Sequence, residues 1–121
     1  MKTFFLLGAL FAALGVGLGA FGAHALRAAL SPEDLATFEI GVRYQMYHAL
    51  ALVGVAWAST QWPSGAVTIA GWAFVAGIVI FSGSLYLLVL SGQRWLGAIT
   101  PIGGLSFILG WVLLAWSAWR G

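Results

Sequence analysis

Four apolar stretches, each close to a bilayer in depth, alternate with short polar breaks along the chain. A helix needs about 20 mostly apolar residues to cross the hydrocarbon, and the pattern predicts spans near residues 3–23, 44–58, 66–90 and 101–119. In the first, Gly8, Gly15 and Gly22 recur every seven residues, and Gly15 and Gly19 lie four apart. Such spacing gathers small residues on one helix face, where a neighbouring backbone can approach closely.

The breaks carry start and stop signals. Ser31-Pro32-Glu33-Asp34 combines a capping hydroxyl, a first-turn proline and two acids at the positive end of a helix. The helix that begins there runs about 43 Å if it continues to residue 60, more than one bilayer core requires. The expectation is therefore a short amphipathic helix over residues 32–41 at the interface, turning into the second span. Leu35, Phe38 and Val42 share a helical side, and Glu39 stands four residues before Arg43, a pairing distance. Trp62-Pro63-Ser64-Gly65 and Ser91-Gly92 mark turns, and Thr100-Pro101 offers a cap and first-turn proline for the last span. Trp111, Trp116 and Trp119 thicken toward its end, and Trp119 with Arg120 suits the headgroup level. The fold class is all-α: one integral membrane domain over residues 1–121, four transmembrane helices and one interfacial helix.

Composition supports the membrane reading. Hydrophobic residues make up 62% and charged residues 7%, against about 45–50% and 25% in soluble domains. Met1-Lys2 and the following apolar run imitate a signal peptide, but the run is longer than a signal core and contains packing glycines, which favours a retained first span. The chain has no Cys, which excludes a thiolate metal site, an iron–sulfur cluster or a cysteine nucleophile within it. Lys2, Arg27, Arg43, Arg94 and Arg120 form no basic run, so nucleic acid is not an expected partner. The same thin spread leaves the orientation of the termini open.

Seven of the ten ionisable Asp, Glu, Lys, Arg and His residues crowd between His24 and His48. Ionisable groups at membrane depth are costly unless they pair or reach water, which makes His24, Arg27, Arg43, Tyr44, Tyr47 and His48 the candidate ligand or polar-network residues. Ser82, Ser84 and Tyr86 join them, because hydroxyls deep in a span need partners. If residues 32–41 lie flat, the two histidines sit near one membrane face and approach each other. If that helix stands upright, His48 lies about 10–20 Å deeper than His24 and they share no ligand. Two imidazoles alone do not specify a haem or a metal. Glu33, Asp34 and Glu39 are explained by the helix start and the Arg43 spacing, so no catalytic residue, metal ligand or cofactor is assigned.

Four fragments carry a family likeness when taken in order: Gly19-Ala20-Phe21-Gly22-Ala23-His24-Ala25-Leu26, Tyr44-Gln45-Met46-Tyr47-His48-Ala49-Leu50, Phe81-Ser82-Gly83-Ser84-Leu85-Tyr86 and Thr100-Pro101-Ile102-Gly103-Gly104. The chain resembles the bacterial membrane family called domain of unknown function four-two-three, whose animal relatives include small mitochondrial transmembrane proteins. The resemblance implies a compact protein of about four helices in the bacterial inner membrane and brings no activity with it. His24, His48, Ser82, Ser84, Tyr86 and Thr100 fall in its motifs, which implies a shared interior network linking the spans.

The functional expectation is a small non-enzymatic, multi-pass integral membrane protein, surrounded by membrane lipids, that acts as a homo-oligomer or as an accessory subunit of a larger membrane complex. A pore or carrier for a small solute, ion or lipid, with its mouth at the His24–His48 region, is the alternative. A haem- or quinone-linked redox protein ranks third.

Overall fold

The computed structural model describes residues 2–121. The chain forms α1 (Lys2–Phe21), extended by a π-helical turn (Gly22–Leu26), then α2 (Pro32–Gln61), α3 (Gly65–Gly77), a second π-helical turn (Ile78–Ser82), α4 (Gly83–Ser91), a 3-10 turn (Arg94–Ala98) and α5 (Thr100–Arg120). The helix limits follow local chemistry. The Ser31 hydroxyl accepts the Asp34 N–H at 3.1 Å, and Pro32 sits in the first turn. Ser64 caps α3 through the Val67 N–H at 3.3 Å. Gly92, at φ +76°, closes α4 with its N–H on the Leu88 carbonyl, the left-handed stop that glycine permits. Thr100 is not a side-chain cap.

The proposed interfacial helix does not exist. α2 is one helix of 30 residues, about 45 Å long, with no proline after its first turn and no internal cap. Gly41, where the bend was expected, is instead a contact point inside the helix: the Tyr86 ring lies against it, and its carbonyl accepts the Ser82 hydroxyl at 2.6 Å. Nor are four spans supported. Among the described residues three helical segments are long and apolar enough to cross a membrane: Lys2–Leu26, Gly65–Ser91 and Arg94–Arg120. α2 is not among them, because Tyr44, Gln45, Tyr47 and His48 interrupt its apolar run.

α2 is nevertheless the centre of the bundle. α1 packs along one side of it, α3 and α4 along another, and α5 lies mainly on α3. The α1–α2 contact is made by the glycine stripe. Gly8 faces Ala49 and Leu52, Gly15 faces Met46, Gly19 faces Val42 and Gly22 faces Phe38, so the two helices run antiparallel. The expectation of a small-residue packing face is met. Where α5 meets the second π-helical turn, Gly103 takes the Phe81 backbone directly against it. Two apolar clusters fill the interior: one around Phe4, Leu52, Val55, Val67, Phe74 and Phe107, the other around Leu26, Phe38, Leu88, Val89 and Leu96. Asp34 and Arg94 clamp the second cluster from outside with a forked ion pair of 2.9 and 3.3 Å.

A Cβ on Gly8 would lie 2.7 Å from the Ala49 carbonyl oxygen, whereas one on Gly17 would meet nothing within 4 Å. Gly8→Ala therefore destabilises the bundle by about 1–3 kcal/mol, and Gly17→Ala is neutral or stabilises it by up to about 1 kcal/mol through helix propensity. Unfolding in mixed micelles checks this, and the reverse order would show that the α1–α2 contact is misplaced.

Candidate functional site

The buried face of α2 carries Phe38, Gly41, Gln45, His48 and Leu52, spaced three or four residues apart as one side of a helix requires. Two of these are polar, and each is hydrogen-bonded through both of its polar side-chain atoms. The Gln45 amide donates to the Phe11 carbonyl of α1 at 2.8 Å, while its oxygen accepts the Tyr86 hydroxyl of α4 at 2.7 Å. One side chain thus ties three helices together. Four residues earlier, Ser82 bonds the Gly41 carbonyl, so α4 and the turn before it are held to α2 at two successive levels.

His48 is bound on both nitrogens. Nδ1 lies 2.7 Å from the Tyr44 carbonyl, which can only accept, so Nδ1 carries the proton. Nε2 then accepts the Trp111 indole N–H of α5 at 3.1 Å. This assigns the neutral Nδ1–H tautomer and leaves no lone pair for a metal or a haem iron. The ring also stacks on Phe107 of α5, 3.6 Å between centroids and 5° from parallel. Beside this stack a groove of about 710 Å³ runs between α2 and α5, lined by Tyr44, Tyr47, Phe81, Gly104, Ile108 and Trp111 among others. Its walls are almost entirely apolar.

Ser84 belongs to a different place. Its hydroxyl lies 2.6 Å from that of Thr100 and 2.9 Å from the Phe81 carbonyl, fastening α4 to the start of α5. Ser106 adds a further cross-helix bond to the Ala73 carbonyl at 2.7 Å. Among the described residues no buried side-chain nitrogen or oxygen lacks a partner, and no cluster of His, Asp and Glu could hold a metal ion.

The sequence candidates therefore separate. Tyr44, Tyr47 and His48 come together at the α2–α5 groove; Ser82 and Tyr86 meet α2 from the other side; Ser84 pairs with Thr100. His24, Arg27 and Arg43 lie on the surface, outside these contacts. The two histidines are not neighbours: Gly22, two residues before His24 in the π-helical turn after α1, packs at the level of Phe38, and His48 lies ten residues farther along the upright α2, about 15 Å away. The Glu39–Arg43 ion pair does not form, and Asp34 pairs with Arg94 instead. Gln45, Phe107 and Trp111 were absent from the candidate set. Gln45 was readable, since its spacing from Phe38 and Gly41 puts it on the inward face. Trp111 sits mid-helix rather than in an end belt, and its role comes from a residue 63 positions away.

A family model described as Protein of unknown function (DUF423) matches residues 18–104, a stretch that holds all of α2, α3 and α4. The chain belongs to that family. Its relatives include the UPF0382 membrane protein YwdK of Bacillus subtilis strain 168, 50% identical over 119 residues that cover 98% of this chain and 97% of the relative. Another is UPF0382 membrane protein SH2409 of Staphylococcus haemolyticus, 51% identical with 99% and 98% covered. UPF0382 membrane protein SAB0533 of Staphylococcus aureus is 53% identical with 94% and 93% covered. No solved structure matches the chain. Together with the three span-capable helices, these relatives make this family member a membrane protein.

Tyr86→Phe keeps the ring on Gly41 but removes the donor to Gln45, and is expected to cost about 0.5–2 kcal/mol, the range of interhelical hydrogen bonds in membrane proteins. Unfolding in mixed micelles measures it. Nitrogen-15 NMR of histidine-labelled protein in lipid is expected to show His48 with a protonated Nδ1 and an unprotonated Nε2, the latter shifted by Trp111→Phe. A protonated Nε2 in the native chain would contradict the assigned contact.

Proposed function

We propose that the protein is a non-enzymatic, multi-pass component of the bacterial inner (plasma) membrane that works as a homo-oligomer or as an accessory subunit of a larger membrane assembly. The observation that carries this reading is the commitment of the interior polar groups. Gln45, His48, Ser82, Ser84, Tyr86 and Thr100 all bond other parts of the same chain. General acid–base chemistry needs a group with a free proton or lone pair in reach of substrate, and a polar pathway needs side chains that exchange partners with the solute. Neither demand is met by groups already tied into helix–helix contacts.

What remains for function is the outer surface. α2 is the least apolar of the long helices, and one of its faces is uncovered, with Tyr47 54% and Leu50 63% exposed. Arg43 is exposed on the same side, and a charge toward lipid is unfavourable unless a neighbour or the interface relieves it. The groove beside His48 is apolar enough to take acyl chains, which supports membrane lipids as the remaining contacts. A third role, haem-linked redox chemistry, is disfavoured by the separation of His24 from His48 and by the Trp111 bond.

Extraction into native lipid particles followed by native mass measurement tests the proposal. The expected result is a mass of two or more copies, or a stoichiometric second protein. A mass of one chain with nothing copurifying overturns it.

A further inference from the structure

The groove between α2 and α5 has a polar approach at one end. The two helices run in the same direction, from the Asp34–Arg94 ion pair near their starts to the contact of Gly121 with Trp62 at their ends. Tyr44 and Pro101, the latter in the first turn of α5, line the near end of the groove, and Trp111 lines the far end, about 15 Å farther along α5. The near end therefore lies close to where the apolar segment Arg94–Arg120 begins, the level at which headgroups meet hydrocarbon.

Glu39, Arg43 and Tyr47 lead into that end as one row on α2. Each stands four residues after the last, which sets successive members about 6 Å apart along the helix and about 40° apart around it. The row enters the groove at Tyr47. Glu39 and Arg43 are exposed, and neither is paired, with the other or with any described residue. The Tyr44 and Tyr47 rings meet edge to face at 5.6 Å, and neither hydroxyl has a hydrogen-bond partner among the described residues. Near hydrocarbon, charges and donors left this way are costly until a partner is supplied.

Their order from the groove outward is the order of groups in a phospholipid. The apolar walls take an acyl chain, the two phenols offer donors to ester oxygens, and the Arg43 guanidinium meets a phosphate, which it binds through paired N–H groups. Glu39 stands about 6 Å farther toward the start of α2, where it repels a headgroup whose only charge is the phosphate. It attracts one that carries a positive group beyond the phosphate. A primary ammonium brings both the charge and N–H donors to the carboxylate; a quaternary ammonium brings the charge alone.

We propose that the groove holds one acyl chain of an aminophospholipid, with the lipid phosphate on Arg43 and its primary ammonium on Glu39. The site extends the lipid contact named above and does not depend on the number of copies in the assembly. It gives a partner to both charges that find none within the chain.

Native mass measurement tests this on the chain purified in mild detergent and supplied with phosphatidylethanolamine, phosphatidylglycerol or phosphatidylcholine of matched acyl chains. The native chain is expected to hold phosphatidylethanolamine about tenfold more tightly than either of the others, the difference one charge-assisted hydrogen bond makes. Glu39→Gln abolishes the preference, Glu39→Arg turns it toward phosphatidylglycerol, and Arg43→Gln weakens all three lipids. A Cβ on Gly104 would meet only the Phe81 ring, at 3.9 Å, so the backbone accepts a side chain there. Gly104 lines the groove, and Gly104→Leu is expected to weaken all three lipids without changing their order. Circular dichroism checks that each variant keeps its helices.

Equal retention of the three lipids by the native chain, or a preference that survives Glu39→Gln, overturns the headgroup assignment. Retention untouched by Gly104→Leu overturns the groove as the seat of the chain. An oligomer that takes up no phospholipid assigns the row to a protein neighbour, which overturns the lipid and leaves the oligomer reading standing. A single chain that holds the aminophospholipid does the reverse.

Discussion

The bundle depends on how closely α2 can be approached. In lipid the apolar effect gives helices little reason to associate, so contact must come from dense packing and hydrogen bonding. Here both act at the same places. The glycines of α1 remove the side chains that would hold its backbone away from α2, and at that distance the Gln45 amide reaches the Phe11 carbonyl. On the other side Gly41 lets the Tyr86 ring lie against the helix, and Tyr86 then reaches Gln45 while Ser82 reaches the Gly41 carbonyl. Close approach makes the bonds possible, and the bonds fix the register of the approach.

The π-helical turns fit the same logic. Ile78–Ser82 inserts a wider turn between α3 and α4, placing Ser82 on α2 and Phe81 against Gly103 and the His48–Phe107 stack. A regular helix would rotate the residues that follow by a fraction of a turn and could not serve both neighbours. Such wide turns are uncommon and recur where side chains need re-aiming. Here the aim is inward, toward polar groups on α2.

Features decided by local chemistry were legible in the sequence. The start of α2 at Ser31-Pro32, the stop at Ser91-Gly92 and the glycine face of α1 each rest on residues within a few positions of one another. Features decided across the fold were not. A bend near Gly41 followed from the excess length of the helix over one bilayer core, yet Tyr86, on another helix, makes Gly41 a contact within a continuous helix. The spacing from Phe38 and Gly41 puts Gln45 on the inward face of α2, but that it bridges Phe11 and Tyr86 depends on where α1 and α4 sit. The crowding of ionisable groups from His24 to His48 suggested one site. The upright course of α2 spreads that stretch along the bundle and puts only His48 inside.

Gln45, His48, Ser82, Ser84, Tyr86 and Thr100 fall in the four fragments that carry the family likeness, and their geometry gives a packing reason for finding them there. A working polar site keeps at least one donor, acceptor or proton in play, since it must exchange that partner with a substrate or solute. Among the described residues, every buried side-chain nitrogen and oxygen of this bundle already has a partner. His48 would have to release Trp111 to bind a metal, and a ligand that took the Gln45 N–H now on Phe11, or displaced Tyr86 from its oxygen, would release α1 or α4. Each release also loosens a helix contact. Side chains so placed hold α1, α4 and α5 on α2, and that architecture is a sufficient physical reason for polar groups in the interior of an otherwise apolar bundle.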